Sequence, residues 1–204
     1  MNGKLGWLPL TGLAFIVLLI VSFALGGSPP NPADDSVEEI VDFYDDDARM
    51  FGAALQTVAA ALLIFFASYL YRRFSAGGAQ ASAILIVVGA VTTAIGIAID
   101  GTITFALADY ADDLEPGAVD ALSALWNSDF LPLAMGMFVF LMGFGVAIVR
   151  HGELPRWMGW VAIVASLTAI SPAFPVAAIV AVLLIAVSAV MFARRERSAT
   201  PQGV

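Results

Sequence analysis

The chain has no cysteine, a single histidine (His151) and a single lysine (Lys4) among its 204 residues. The missing cysteine excludes disulfides, thiolate nucleophiles and cysteine-ligated zinc or iron–sulfur sites. One histidine excludes two-histidine haem ligation and the HExxH zinc motif within one chain. The lysine precedes the first apolar segment, so no buried Schiff-base lysine is expected. We therefore predict no cofactor and no metal site.

Charged residues are also scarce, at 13% of the chain, whereas 60% of the residues are hydrophobic. Soluble domains have about 25% charged and about 45–50% apolar residues. The mean hydropathy of +0.91 is therefore typical of an integral membrane protein. The sequence contains no GxSxG elbow, P-loop or GxGxxG motif, and these absences argue against an enzyme.

Six apolar segments are candidates for transmembrane helices. A helix needs about 20 apolar residues to cross a hydrocarbon core about 30 Å thick. Pro172 and Pro175 divide the last apolar region into two short spans, because each proline removes a helix hydrogen bond. The predicted fold is an all-α bundle of six transmembrane helices, forming a single domain over 1–204. The predicted spans are residues 7–25, 50–71, 81–106, 130–149, 157–170 and 176–192.

The basic residues predict how this bundle is oriented. With six spans, eight of the nine basic residues fall on one side of the membrane, and the other side holds Arg49 alone. Cytoplasmic segments carry the excess of lysine and arginine. Both termini are therefore predicted to be cytoplasmic, in a multi-pass protein of the plasma membrane. The acidic residues then belong mainly to the outer loops and do not indicate a nucleic-acid partner.

Two features of the chain allow a second interpretation. The first apolar segment lies between MNGK and ALGG, which also fits a cleaved signal peptide, although the apolar run exceeds the usual 7–15 residues. Spans 1–2 and spans 3–4 follow the same order: a first crossing, an acidic outer loop, a returning crossing, and an arginine at its end. This likeness indicates either an old duplication or two hairpins that obey one charge rule, and we favour the second explanation.

Both long outer loops are predicted to contain a short amphipathic helix. Ser36 and Glu39 form a capping-box pattern, and apolar residues follow at helical spacing, which predicts a helix over 36–44. Pro116 suits a first helical turn and precedes an apolar stripe, which predicts a helix over 117–126. The acidic runs in these loops lack EF-hand spacing and are interpreted as solvated surface.

The third span carries the most informative polar residues. Small and polar side chains recur on one helical face, and such faces allow close packing of helices in lipid. Asp100 lies on this face, and a carboxylate inside a membrane needs a partner, a proton or water. Gln56 is a candidate donor to Asp100, and Arg49 is a candidate to reach toward Asp100 or Asp109. The face consists of Ser82, Gly89, Thr93, Gly96, Asp100 and Thr104.

Two hypotheses follow for Asp100, Gln56, Arg49, Thr104 and Thr93. A polar clamp that holds spans 2 and 3 together is favoured over a proton or cation site. The favoured function is a non-enzymatic module that binds a lipid or a membrane partner protein, including a second copy of itself. The alternatives are transport of a small solute, proton or cation through an outer-leaflet site, and a lipid-modifying enzyme at the outer face.

A resemblance to a known family is carried by two segments, EEIVDFYDDDARMFGAALQTVAAALLIFFASYLYRRF and LPRWMGWVAIVAS. They resemble a family of uncharacterised bacterial multi-pass membrane proteins that is common in actinobacteria. In that family an acidic loop helix leads into the second span, and a Pro-Arg-Trp-x-Gly segment opens the fifth. The resemblance implies residence in the plasma membrane and no established activity, so it implies no catalytic residue.

Overall fold

The computed structural model describes residues 7–199, so Lys4 and the last five residues lie outside the described range. Within that range the chain is helical and contains no strand, which confirms the all-α prediction. A 3-10 turn (Ala111–Asp113) follows the fourth helix. The α-helices are α1 (Leu10–Gly26), α2 (Val37–Tyr44), α3 (Asp47–Ala76), α4 (Gln80–Tyr110), α5 (Pro116–Ser128), α6 (Phe130–His151), α7 (Arg156–Ala169) and α8 (Phe174–Ala199).

Four segments of the described chain are long and apolar enough to cross a bilayer. They are Asp47–Ala76, Gln80–Asp113, Pro116–His151 and Phe174–Ser198. The apolar helix α1 has 17 residues and α7 has 14, which correspond to lengths of about 26 Å and about 21 Å. Helices thus occupy all six ranges that were predicted as spans, and four segments reach the length of a full crossing.

Two of the long helices continue beyond their apolar residues at one end of the bundle. Both α3 and α8 extend through arginine-rich sequence, since arginine and glutamate are good helix formers. The Arg73 guanidinium lies 3.1 Å from the Glu153 carboxylate and 3.7 Å from that of Glu196. Arg195 donates a hydrogen bond to the Glu153 backbone carbonyl at 2.7 Å. We call this end of the bundle the basic end.

The tightest helix contact joins α4 to α6 through glycines. A Cβ atom added to Gly89 would overlap the backbone nitrogen of Phe140, and one added to Gly136 would overlap the backbone nitrogen of Thr93. A Cβ atom at Gly96 would lie 2.7 Å from the backbone nitrogen of Leu133. Small residues let helix backbones approach closely in lipid. The predicted close packing of this face of α4 is confirmed.

Glycines mediate two further contacts in the same way. A Cβ atom at Gly52 on α3 would lie 3.0 Å from the Ser22 carbonyl oxygen on α1. A Cβ atom at Gly145 on α6 would lie 2.7 Å from the Gly159 carbonyl oxygen on α7. Helix α8 packs beside α1 and α7. Close backbone contacts therefore join α1 to α3 and α6 to α7, and the closest contact joins α4 to α6.

The two short loop helices cover the opposite end of the bundle, which we call the acidic end. Both lie where helices were predicted, with α2 at Val37–Tyr44 and α5 at Pro116–Ser128. Their buried side chains pack against the last turns of α4 and form a second, smaller apolar core. This core consists of Ile40, Tyr44, Ile103, Leu107 and Val119. The loop helices are therefore part of the folded bundle.

The capping box at the start of α2 is present as predicted. The Glu39 backbone amide donates to the Ser36 hydroxyl oxygen at 3.3 Å, and the Ser36 backbone amide donates to the Glu39 carboxylate at 2.8 Å. The hydrogen bond from the Ser36 backbone, followed by that from its hydroxyl, lowers the pKa of Glu39 below its ordinary value. The ionised carboxylate is therefore part of the cap.

A pH dependence of α2 follows from this lowered pKa. The stabilisation is present above the ordinary pKa of a glutamate and is lost as the pH falls through the lowered pKa. We expect Ser36→Ala to speed amide exchange in α2 about fivefold at neutral pH. Hydrogen exchange, corrected for the intrinsic effect of pH, measures both effects. Glu38→Gln removes the neighbouring charge as a control, and equal exchange in Ser36→Ala and the wild type would contradict the prediction.

Candidate functional site

A polar cavity lies at the acidic end, where α1, α3, α4 and α5 meet. Its volume is about 40 Å³, which is room for about three water molecules. Asp100, Thr104, Gln56 and Arg49 line it. The structure thus brings together four of the five residues that were predicted as a site. The fifth, Thr93, lines a different cavity, deeper in the bundle.

The Asp100 carboxylate is held by one neighbouring helix. Gln56 Nε2 on α3 donates a hydrogen bond to Asp100 Oδ2 on α4 at 2.7 Å, as the sequence suggested. Both side chains are half-buried. Across the part of the chain that the structure describes, no other hydrogen bond reaches this carboxylate, and no basic side chain lies within 4.0 Å of it. Asp100 is therefore a carboxylate with one donor and no counter-ion.

Arg49 does not supply that counter-ion, and its predicted reach toward Asp100 or Asp109 is wrong. Its guanidinium donates to the Leu25 carbonyl at 2.6 Å and to the Phe43 carbonyl at 3.3 Å. The last carbonyls of a helix lack intrahelical partners and carry partial negative charge. Arg49, on α3, therefore caps the end of α1 and also binds a backbone carbonyl of α2, so it connects the three helices. Pairwise spacing within α3 could not reveal this contact.

Two further side chains line the cavity and were not assigned to it from the sequence, and Asp129 carries another buried polar atom at this end of the bundle. Tyr44 lines the cavity, and burial followed by the charge of Asp100 raises the pKa of its hydroxyl. Trp126 also lines it, and its indole Nε1 is buried without a hydrogen-bond partner among the described residues. Asp129, between α5 and α6, does not line the cavity, and its Oδ2 is buried without a hydrogen-bond partner among the described residues.

The sequence held a partial signal for these three residues. Tyr44 and Trp126 stand at helical spacing from the preceding apolar residues of α2 and α5, so each lies on the apolar face of its loop helix. Which cavity they reach depends on how α2 and α5 pack onto α4, and the stripe does not specify that. Asp129 immediately precedes α6, where an aspartate is a favoured cap residue, but its side chain makes no such cap hydrogen bond.

A larger, apolar cavity of about 160 Å³ lies deeper in the bundle. It is lined from α1, α3, α4, α6 and α8. Gln56 and Phe23 line both cavities and so form the wall between them. An engineered protein cavity of about 150 Å³ with an apolar lining stays dry and binds benzene or xenon. This cavity therefore suits an apolar group. Its α8 wall consists of Phe174, Ala178, Ala181, Val182 and Ile185.

Thr93 lines this apolar cavity, but its hydroxyl oxygen is fully buried. The residue is 7% exposed, and its hydroxyl has no hydrogen-bond partner within the described residues. An unsatisfied buried hydroxyl costs about 1–3 kcal/mol. Seven residues of helix, about 10 Å, separate Thr93 from Asp100. Thr93 is thus not part of a clamp with Asp100, and its hydroxyl lies against Gly136 of α6.

Comparison of the chain with protein-family models, with curated proteins and with solved structures finds no match. The resemblance to uncharacterised actinobacterial membrane proteins therefore stays a prediction. Within the described residues no group of three or more histidine, aspartate or glutamate side chains is arranged to hold a metal ion. The chemistry of the site is that of one polar cavity, whose single lining carboxylate accepts a hydrogen bond from Gln56, next to one apolar cavity.

Proposed function

We propose that the chain crosses the plasma membrane six times, with both termini in the cytoplasm. The apolar helices α1 and α7 would complete the count beside the four longer segments. Trp157 and Trp160, at the start of α7, are 60% and 58% exposed, as expected for an aromatic belt at the membrane surface. The positive-inside rule puts the basic end in the cytoplasm and the acidic end outside.

The function that this geometry supports best is non-enzymatic binding of a lipid between the helices. The observation that carries this proposal is the apolar cavity of about 160 Å³ with the polar cavity next to it. Binding sites for small molecules are mostly apolar with a few placed polar groups. A lipid chain in the deeper cavity and a headgroup in the outer one would match this division, with the headgroup toward the acidic end.

The same arrangement weighs against transport of a solute or cation. A transport path needs a polar site near the middle of the membrane. Here Asp100, Gln56 and Thr104 lie toward the acidic end, and the cavity beneath them is apolar except for Gln56 and Thr93. The position of these polar groups therefore fits the outer end of a lipid-binding site better than a path for a solute across the membrane.

Filling the apolar cavity tests this function. Ala181 on α8 is 6% exposed and lines the cavity, so Ala181→Phe would occupy the space that a lipid chain needs. We expect this variant to lose the lipid that survives repeated detergent washing, which native mass spectrometry measures. Ala61→Phe, on an exposed position of α3, adds the same ring outside the cavity and should retain that lipid.

The outcome separates binding from transport. Equal amounts of retained lipid in the wild type and in both variants would contradict lipid binding in this cavity. A solute flux into liposomes that Ala181→Phe abolishes and Ala61→Phe preserves would favour transport instead. Thermal unfolding of each variant in the same detergent shows that both remain folded.

A further inference from the structure

The acidic end of the bundle holds negative charge without a matching cation. Asp100 lines the polar cavity, and the described residues place no basic side chain within 4.0 Å of its carboxylate. Removing a carboxylate from bulk water without a counter-ion is unfavourable. Because the chain itself supplies no counter-ion here, the site is complementary to a cation from outside.

The arginines of the described chain are engaged or distant. Arg49 lines the polar cavity, but its guanidinium is bound to the carbonyls of Leu25 and Phe43 and lies 3.7 Å from Asp46. Its charge is thus partly neutralised at the end of α1. Arg73 and Arg195 pair with Glu153 at the basic end of the bundle. None of these guanidinium groups is placed to neutralise Asp100.

The size of the polar cavity restricts what the cation can be. A volume of about 40 Å³ accommodates a group of a few non-hydrogen atoms, such as a primary ammonium. A choline or a sugar headgroup is larger than this space. Asp100 and Thr104 line the cavity, and carboxylate and hydroxyl oxygens are suitable acceptors for the three N–H donors of an ammonium.

The apolar cavity on the other side of Gln56 and Phe23 indicates what the ammonium is attached to. An alkyl chain that passes between these two side chains would extend from the polar cavity toward Thr93. Apart from Gln56 and Thr93, the residues that line this cavity are apolar, which suits an alkyl chain. One elongated molecule with a cationic end would therefore fill both cavities.

We infer that the ligand is a single-chain amphiphile with a primary ammonium headgroup. The ammonium pairs with Asp100 in the polar cavity, and the alkyl chain lies in the apolar cavity. This inference rests on the proposed lipid binding and adds the class of headgroup. The positive charge is matched by Asp100, and the small head by the volume of the outer cavity.

Binding of dodecylammonium and of dodecanol to the full chain in phosphatidylcholine nanodiscs tests the inference, with empty nanodiscs subtracted. The two probes share a chain and differ in the charge of the head. We expect the wild type to bind dodecylammonium about tenfold more tightly than dodecanol. Asp100→Asn keeps an acceptor for Gln56 and should remove this preference while dodecanol still binds. Asp109→Asn, at an exposed position of the same helix, is the matched control and should retain the preference.

The results distinguish this inference from the function on which it rests. Saturable binding of dodecanol that Ala181→Phe abolishes, without any preference for the ammonium, would support lipid binding and overturn the headgroup assignment. No saturable binding of either probe would overturn both. Dodecyltrimethylammonium carries the same charge on a head too large for the cavity, so equal binding of it and of dodecylammonium by the wild type would also overturn the assignment. This last comparison needs no variant.

Discussion

Gly89→Ala is expected to lower the free energy of unfolding by at least about 3 kcal/mol. The added Cβ would overlap the backbone nitrogen of Phe140 on α6. A backbone atom inside a helix cannot move aside as the end of a flexible side chain can, so α4 and α6 would have to separate along their whole contact. For a chain of this size the melting temperature should fall by about 6–12 °C, which thermal unfolding in detergent measures.

The matched control is the same substitution at a glycine with open space around it. A Cβ atom at Gly117 on α5 would meet nothing within 4 Å, and the same is true of Gly26 on α1. Alanine is favoured over glycine in helices by up to about 1 kcal/mol, so Gly117→Ala should be neutral or slightly stabilising. Equal stability of Gly89→Ala and Gly117→Ala would contradict the close approach of α4 and α6 at Gly89.

The second large effect is expected from Gln56→Leu. This change removes the one hydrogen bond that the Asp100 carboxylate accepts from the described residues. Hydrogen bonds to charged groups are worth about 1.5–3 kcal/mol, and we expect a loss of stability in that range. The double variant with Asp100→Leu should recover most of this loss, because it removes the carboxylate together with its donor. Unfolding of the wild type, both single variants and the double variant completes the cycle.

Thr57→Val is the control for this cycle. Thr57 follows Gln56 on α3, but its hydroxyl bonds only the Ala53 carbonyl of its own helix, so its effect should not depend on Asp100. Additive effects of Gln56→Leu and Asp100→Leu would show that the hydrogen bond does not couple the helices. Full stability of Asp100→Leu alone, with loss of dodecylammonium binding, would show that the carboxylate serves the ligand rather than the packing of α3 on α4.

The two roles of Asp100 are compatible, because a carboxylate has two oxygens. Gln56 uses Oδ2, and the other oxygen is left to the cavity. A clamp that also faces a binding site would position the carboxylate for the ligand. The favoured sequence hypothesis of a polar clamp and the alternative of a cation site thus describe the same side chain in different contacts.

The features that the sequence by itself determined are those that depend on local pattern. Long apolar runs determined the all-α class, and the spacing from Ser36 to Glu39 determined where α2 begins. The small-residue face of α4, including Gly89 and Gly96, predicted a close helix contact because the absence of a side chain is what permits one. Apolar runs alone did not determine the number of membrane crossings, because α1 and α7 are shorter than a full span.

Only the tertiary structure decided which residues form the site. Arg49 and Asp100 are near in the predicted threading, but the free carbonyls at the end of α1 bind the guanidinium. Thr93 shares a helical face with Asp100, yet it packs against Gly136 of α6 and lines another cavity. A cavity forms where the side chains of several packed helices leave space unfilled, and the deeper cavity here is lined from five helices. That property belongs to no single helix, so no pattern along the chain can reveal it.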